Sequence, residues 1–188
     1  MTDTLFTRTP RTALAEQWHP AWDTMQKLTG DPTFVEVFAK SPELLEFVMG
    51  QFYTRIFFGG KVEQRYKQLA RLRLSIAHGC RTCNKQNVPG TLAAGFTQGQ
   101  IDALLAGSLA PYTPAERTVI RYAEQVALTN MDGTMSTELF QDLRQHFSEA
   151  DILELGVAMA VISGMAKLSF VLNVVERENY CPFASAAA

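Results

Sequence analysis

At 188 residues the chain is long enough for one domain with a core of its own, and 47% apolar residues can fill that core. Charged residues make up only 19%, below the roughly 25% usual for soluble domains, which points to surface hidden between subunits. A formal net charge of −2 argues against nucleic acid or an anionic membrane surface as a partner.

The first seventeen residues lack the continuous apolar run of a signal peptide, so a reducing cytoplasm is the expected location. The whole of 1–188 reads as a single domain. Residues 1–30, with Trp18 and Trp22, form an N-terminal arm expected to pack on the body or on a neighbour. His19 precedes Pro20, consistent with a helix start. Asp31-Pro32 and Ser41-Pro42 each pair an N-cap residue with proline at a first helical position. From Ser41 a helical apolar spacing runs to Gly59-Gly60. A second such run, "VEQRYKQLARLRLSIAHG", stops at Gly79, a natural C-terminal cap. On it Leu69, Leu72 and Ile76 share one face, while Gln68, Arg71, Ser75 and His78 form a polar stripe. Pro89 and Gly90 are expected to shorten or kink the helix that follows.

Thr113 and Glu116 have capping-box spacing before "VIRYAEQVALTN", and Ser148 and Asp151 offer a looser version before the last long helix. Residues 152–175 are the most apolar stretch. Glu154 and Lys167 interrupt it, which favours a core or interface helix over a membrane span. His146 falls near a helix end, and Cys181 receives no role. No alternating strand pattern occurs. The expected fold is an all-α bundle of seven to nine helices.

The chemistry concentrates in "HGCRTCNKQN", His78 to Asn87. A structural zinc needs four ligands. Beyond Cys80 and Cys83 the chain has only Cys181, His19, His78 and His146, with no second pair at finger spacing. Chance burial of two cysteines is the competing reading, but Arg81, Thr82, Asn84, Lys85 and Gln86 are not core composition. A redox pair has a physical basis. With a helix starting near Cys80, the two cysteines lie one turn apart within disulfide reach. Unpaired N–H groups at that helix start favour a thiolate, and Arg81 and Lys85 add positive potential. Asn87 continues the stripe one turn beyond Cys83. If Gly79 turns the chain back, Gln68, Arg71, Ser75 and His78 face this stripe across a small cleft; otherwise they form a solvated face.

The Ser-Pro helix start, the Gly-Gly stop, the "LxRLRxSxxxGCxxC" run and the following "AAGFTQGQIDALLAG" together resemble the alkylhydroperoxidase D (AhpD)-like branch of the carboxymuconolactone decarboxylase superfamily. The match is best over residues 31–107. The resemblance implies an AhpD-like helical bundle that assembles into a homo-oligomer, a trimer or hexamer. It implies reduction of a peroxide or disulfide by the CxxC pair, recharged by a thiol or lipoyl-type reductant, with no cofactor and no metal. Cys83 maps to the attacking cysteine and Cys80 to the resolving one, although helix-end electrostatics alone favours Cys80 as the more acidic thiol. The family's relay glutamate falls on Gln68 and its histidine on Asn87. An amide cannot take up and release a proton near neutral pH. His78 is then either a substitute base or a cap on its helix. The alternative function is a redox-silent relative that binds a small molecule or serves in assembly. Lactone decarboxylation, suggested by the superfamily's name, does not use a CxxC pair.

Overall fold

Nine α-helices make up most of the regular structure in the computed structural model, which describes residues 3–127 and 132–179. After two short 3-10 turns, α1 spans His19–Thr29, with Pro20 in its first turn and Gly30 closing it at φ 75°. The arm packs on the chain's own body. Leu14, Trp18, Trp22 and Met25 join Val35, Phe38 and Leu45 in one apolar cluster. Arg8 pairs with Glu36, and the Trp22 indole donates to the same carboxylate at 2.8 Å.

Helix α2 covers Thr33–Phe38, one residue later than the Asp-Pro signal predicts, because Asp31 Oδ1 caps from two residues back by accepting the Thr33 N–H at 3.1 Å. Helix α3, Pro42–Leu45, widens into a π-helix over Glu46–Phe58, where sequence spacing predicts one α-helix. The buried residues there are Val48, Phe52 and Phe57. Steps of four and five residues stay on one face when turns are closed by i→i+5 bonds.

Helices α4, Gln64–Ala77, and α5, Arg81–Ala93, form an antiparallel pair about Gly79, whose φ of 62° suits glycine. Helix α5 runs through Pro89 to Ala93, so the proline does not shorten it. Helix α6, Gln98–Leu105, opens with a Thr97/Gln100 capping box. Helix α7 covers Pro114–Ala127, and the predicted box forms: the Thr113 N–H donates to Glu116 at 2.8 Å. Helix α8 is Thr137–Arg144 and α9 is Glu149–Val171, capped by the Ser148/Asp151 box.

Helix α4 is the centre of the bundle. Ala70 and Leu74 pack with Val119, Leu143, Leu155 and Met159 of α7, α8 and α9. Leu69, Leu72 and Ile76 pack with Phe96, Ile101, Leu104 and Ile120. Fully burying each leucine contributes about 1.5–3 kcal/mol. Helix α9 is long and apolar enough by composition to cross a membrane, yet it lays one face into this core. Its Glu154 accepts the Lys61 N–H at 2.8 Å and the buried Lys67 ammonium at 3.1 Å, fastening α9 to the turn before α4. Leu153, Val157, Leu168 and Val171 remain exposed on its outer face.

Candidate redox site

Helix α5 begins where its first cysteine ends an extended residue. Cys80 is the N-cap, at φ −94° and ψ 98°, and its Sγ accepts the Cys83 N–H at 3.2 Å. The helix therefore holds residues 80 and 83 one turn apart, with Cα atoms 5.2 Å apart, and the two are joined as a disulfide. Their environments differ. Cys80 has no exposed surface and is enclosed by Val37, Val174 and Val175. Cys83 lies at the edge of that cluster and is partly exposed.

The two polar stripes meet in direct contact. They are neither a solvated face nor the walls of an open cleft. Ser75 Oγ donates to Asn84 Oδ1 at 2.7 Å, and Asn87 Nδ2 donates to the Arg71 carbonyl at 3.3 Å. Gln68 lies against Gly90, where an added Cβ would come within 3.0 Å of its Oε1. Gln68 and Asn87 are both buried, and Gln68 Oε1 and Asn87 Oδ1 have no hydrogen-bond partner among the described residues. Gln68 thus sits against Gly90, two turns along α5 from the disulfide, and Asn87 one turn from it.

His78 is the C-cap of α4. Both its ring nitrogens are buried without a hydrogen-bond partner. Burial, with the charge of Lys167 as a second cause, lowers its pKa to about 4. The ring is neutral at pH 7, so it offers no cation to the helix dipole there, and its proton affinity is low for a general base.

A C-terminal strap that sequence reasoning missed closes the site. Residues 172–178 leave α9 through Asn173 at φ 52° and run back across the start of α5. Cys80 and Arg177 form an antiparallel bridge. The Arg81 N–H donates to the Glu176 carbonyl at 3.0 Å, and the Glu178 N–H to the Gly79 carbonyl at 2.9 Å. The strap also brings charge. Glu178 accepts from Asn84 Nδ2 at 2.9 Å, and Glu176 lies 3.5 Å from the Lys85 ammonium. The positive potential expected from Arg81 and Lys85 is offset by these carboxylates. No local pattern announces the pairing, since the partners are more than ninety residues apart. Thr4 and Asn173 tie the N-terminal arm to the strap through the Leu172 and Asp3 carbonyls. Cys181 lies outside the described residues.

The geometry supports two-electron thiol chemistry. A partly exposed sulfur can meet a substrate. A buried sulfur at a helix N-terminus is stabilised as a thiolate by the N–H groups around it, both as a resolving nucleophile and as a leaving group.

Residues 42–125 match the Carboxymuconolactone decarboxylase family model. No curated protein matches the chain. Among solved structures, the chain is similar to a protein of unknown function from Agrobacterium tumefaciens, provisionally described as the antioxidant defence protein AhpD. The identity is 24%, over 77% of this chain and 96% of that one, with a TM-score of 0.65. It is similar to the debrominase Bmp8 in complex with 2,3,4-tribromopyrrole at 19% identity, over 98% and 96% of the two chains, with a TM-score of 0.73. An AhpD-core, peroxidase-related protein from Ralstonia eutropha aligns at 14% identity, over 94% and 93%, with a TM-score of 0.72.

Proposed function

We propose that the chain is a thiol-dependent oxidoreductase of the AhpD type, a reading supported by the match of residues 42–125 to the carboxymuconolactone decarboxylase family model and by the likeness of its fold to AhpD-like structures. One observation carries the reading: Cys80 and Cys83 form a disulfide at the start of α5, with Cys80 enclosed and Cys83 accessible. The Cys83 thiolate attacks the terminal oxygen of a hydroperoxide. The O–O bond breaks, the alkoxide leaves and takes a proton, and Cys83 becomes a sulfenic acid. The Cys80 thiolate then attacks the Cys83 sulfur. The S–O bond breaks, hydroxide leaves as water after protonation, and the disulfide forms. A thiol or lipoyl-type dithiol returns two electrons and two protons. Self-association through the exposed face of α9, in a reducing compartment, is part of the proposal. The low charge share and exposed Leu153, Val157, Leu168 and Val171 support it.

The test is peroxide consumption with dithiothreitol as donor. Turnover is expected to vanish in Cys83→Ser, and Cys80→Ser is expected to accumulate a sulfenic acid trappable by dimedone. Full turnover by Cys83→Ser would remove the assignment. The buried amides motivate a second reading, a redox-silent relative. It expects no turnover until Gln68→Glu and Asn87→His are introduced together. The full-length likeness to a debrominase adds a bromopyrrole to the substrate panel. There the dithiol would supply the two electrons and two protons that turn a C–Br bond into C–H and HBr.

A further inference from the structure

The register between the C-terminal strap and the start of α5 decides which strap side chains face which sulfur. The Glu178 N–H donates to the Gly79 carbonyl and the Arg81 N–H to the Glu176 carbonyl, so Cys80 and Arg177 between them are a non-hydrogen-bonded antiparallel pair. The side chains of such a pair leave on the same face, with Cβ atoms about 5 Å apart. Alternation along the strap then sorts its charges. Glu176 and Glu178 leave on the other face, where they meet the Lys85 ammonium at 3.5 Å and the Asn84 amide at 2.9 Å. Val175 and Arg177 share the face of Cys80. Val175 belongs to the apolar cluster around that sulfur, and Phe170 packs on the same cluster. The Arg177 guanidinium carbon lies 4.3 Å from the Phe170 ring centroid. Ladder register and ring contact thus bring one cation to the Cys80 side of the strap.

Cys80 has a use for that charge. It has no exposed surface, and burial in an apolar cluster disfavours the thiolate, the form that must leave the disulfide and later attack Cys83. The N–H groups at the α5 start offset part of this cost. Stacking on Phe170 restricts the guanidinium and holds it at the cluster's edge. We propose that Arg177 is the electrostatic partner of Cys80, a positioning residue that stabilises this sulfur as a thiolate and so sets the balance between disulfide and dithiol. The inference rests on the redox reading for the cycle it serves, but not for the equilibrium it sets. With the charges about 8 Å apart and an effective dielectric constant of about 20, the cation favours the thiolate by about 30-fold. Screening at an exposed side chain lowers this toward about 3-fold.

The experiment equilibrates the full chain with mixtures of reduced and oxidised dithiothreitol at about pH 9, where thiolates are populated. As dithiothreitol closes to its cyclic disulfide, the bond between Cys80 and Cys83 opens and receives the two electrons, with protons taken from solvent. Acid quenching, alkylation and peptide mass spectrometry give the dithiol fraction. Arg177→Met keeps an apolar stem on Phe170 and removes the charge. It is expected to shift the equilibrium about 3- to 30-fold toward the disulfide at low salt, and by much less near 1 M salt, where the Debye length is about 3 Å. Arg177→Lys is expected to keep most of the unaltered balance, since the charge remains. An unshifted equilibrium in Arg177→Met overturns the inference. So do equal shifts in the Met and Lys variants that salt leaves alone, which would make Arg177 a packing residue of the strap. A charge-dependent shift in a chain that consumes no peroxide sustains this inference and removes the peroxidase reading. Peroxide consumption with an equilibrium indifferent to Arg177 does the reverse.

Discussion

Burial makes a quantitative statement about which cysteine meets solvent first. In the reduced protein, Cys80 can be alkylated only after the strap lifts, which exposes Val174 and Val175, now 2% and 6% exposed. Each valine loses about 1.5–3 kcal/mol on leaving an apolar site, so the apolar part of opening costs about 3–6 kcal/mol. At 1.4 kcal/mol per decade, Cys80 should react about 10²- to 10⁴-fold more slowly than Cys83. The N-cap position acts the other way by favouring the Cys80 thiolate. A charge at a helix N-terminus is worth at most about 2 kcal/mol, and the more acidic thiolate is also the weaker nucleophile. Burial therefore wins. The assay is iodoacetamide labelling of the reduced chain with timed quenching and peptide mass spectrometry. Val174→Ala with Val175→Ala should narrow the gap by about a hundredfold, because each change removes roughly two methylene equivalents of packing at about 0.8 kcal/mol apiece. Equal labelling of the two cysteines in the unaltered protein, or faster labelling of Cys80, would refute both the order of attack and the role of the strap.

Glu154→Ala should cost about 3–5 kcal/mol and lower Tm by about 6–20 °C by calorimetry, since it strands the Lys67 ammonium and two backbone N–H groups. Lys67→Met should cost less, because Glu154 keeps its backbone donors; the reverse order would contradict this account. His78 has a folded pKa of about 4 against an ordinary 6.5, so the unfolded chain binds more protons between those values and stability falls as pH drops through that window. The effect is about 3 kcal/mol when complete, and the urea midpoint of His78→Gln should lose this part of the pH dependence between pH 6.5 and 4. The rate of peroxide reduction should climb with pH through the thiol range without an acid limb near 6.5, whereas Gln68→Glu with Asn87→His should shift the rise to lower pH. A limb near 6.5 in the unaltered protein would return a histidine to the mechanism.

The all-α fold and the α4–α5 pairing were legible because helical periodicity and one glycine carry them. Leu69, Leu72 and Ile76 recur at core spacing, and Gly79 supplies the left-handed residue that turns one helix onto the next. The N-cap placement of Cys80 followed from that turn. What escaped depends on long-range packing. The π-helix over Glu46–Phe58 arises from which aromatic residues the core accepts, and an apolar run looks the same in either helix. The strap pairs residues 174–178 with residues 79–84, and neither segment carries a strand signal. The electrostatics of the site was misjudged for the same reason. Lys85 was visible beside the cysteines, whereas Glu176 and Glu178 arrive from the other end of the chain.

These features bear on how a dithiol can work without a proton relay. Gln68 and Asn87 cannot exchange protons, and His78 is too weakly basic to hold one at pH 7. What remains is fixed polarity: the N–H groups of the α5 start, one of which already points at Cys80 Sγ. Fixed dipoles do not raise the thiolate fraction as steeply as a paired base does, but they act on the same sulfur in both halves of a cycle. In the cycle proposed above they would stabilise Cys80 both when it departs from the disulfide and when it returns to attack Cys83. With that sulfur under an apolar strap, peroxide would be kept from it, and in the proposed cycle its thiolate would resolve rather than over-oxidise. Burial and helix polarity thus assign the two sulfurs different duties from one CxxC turn.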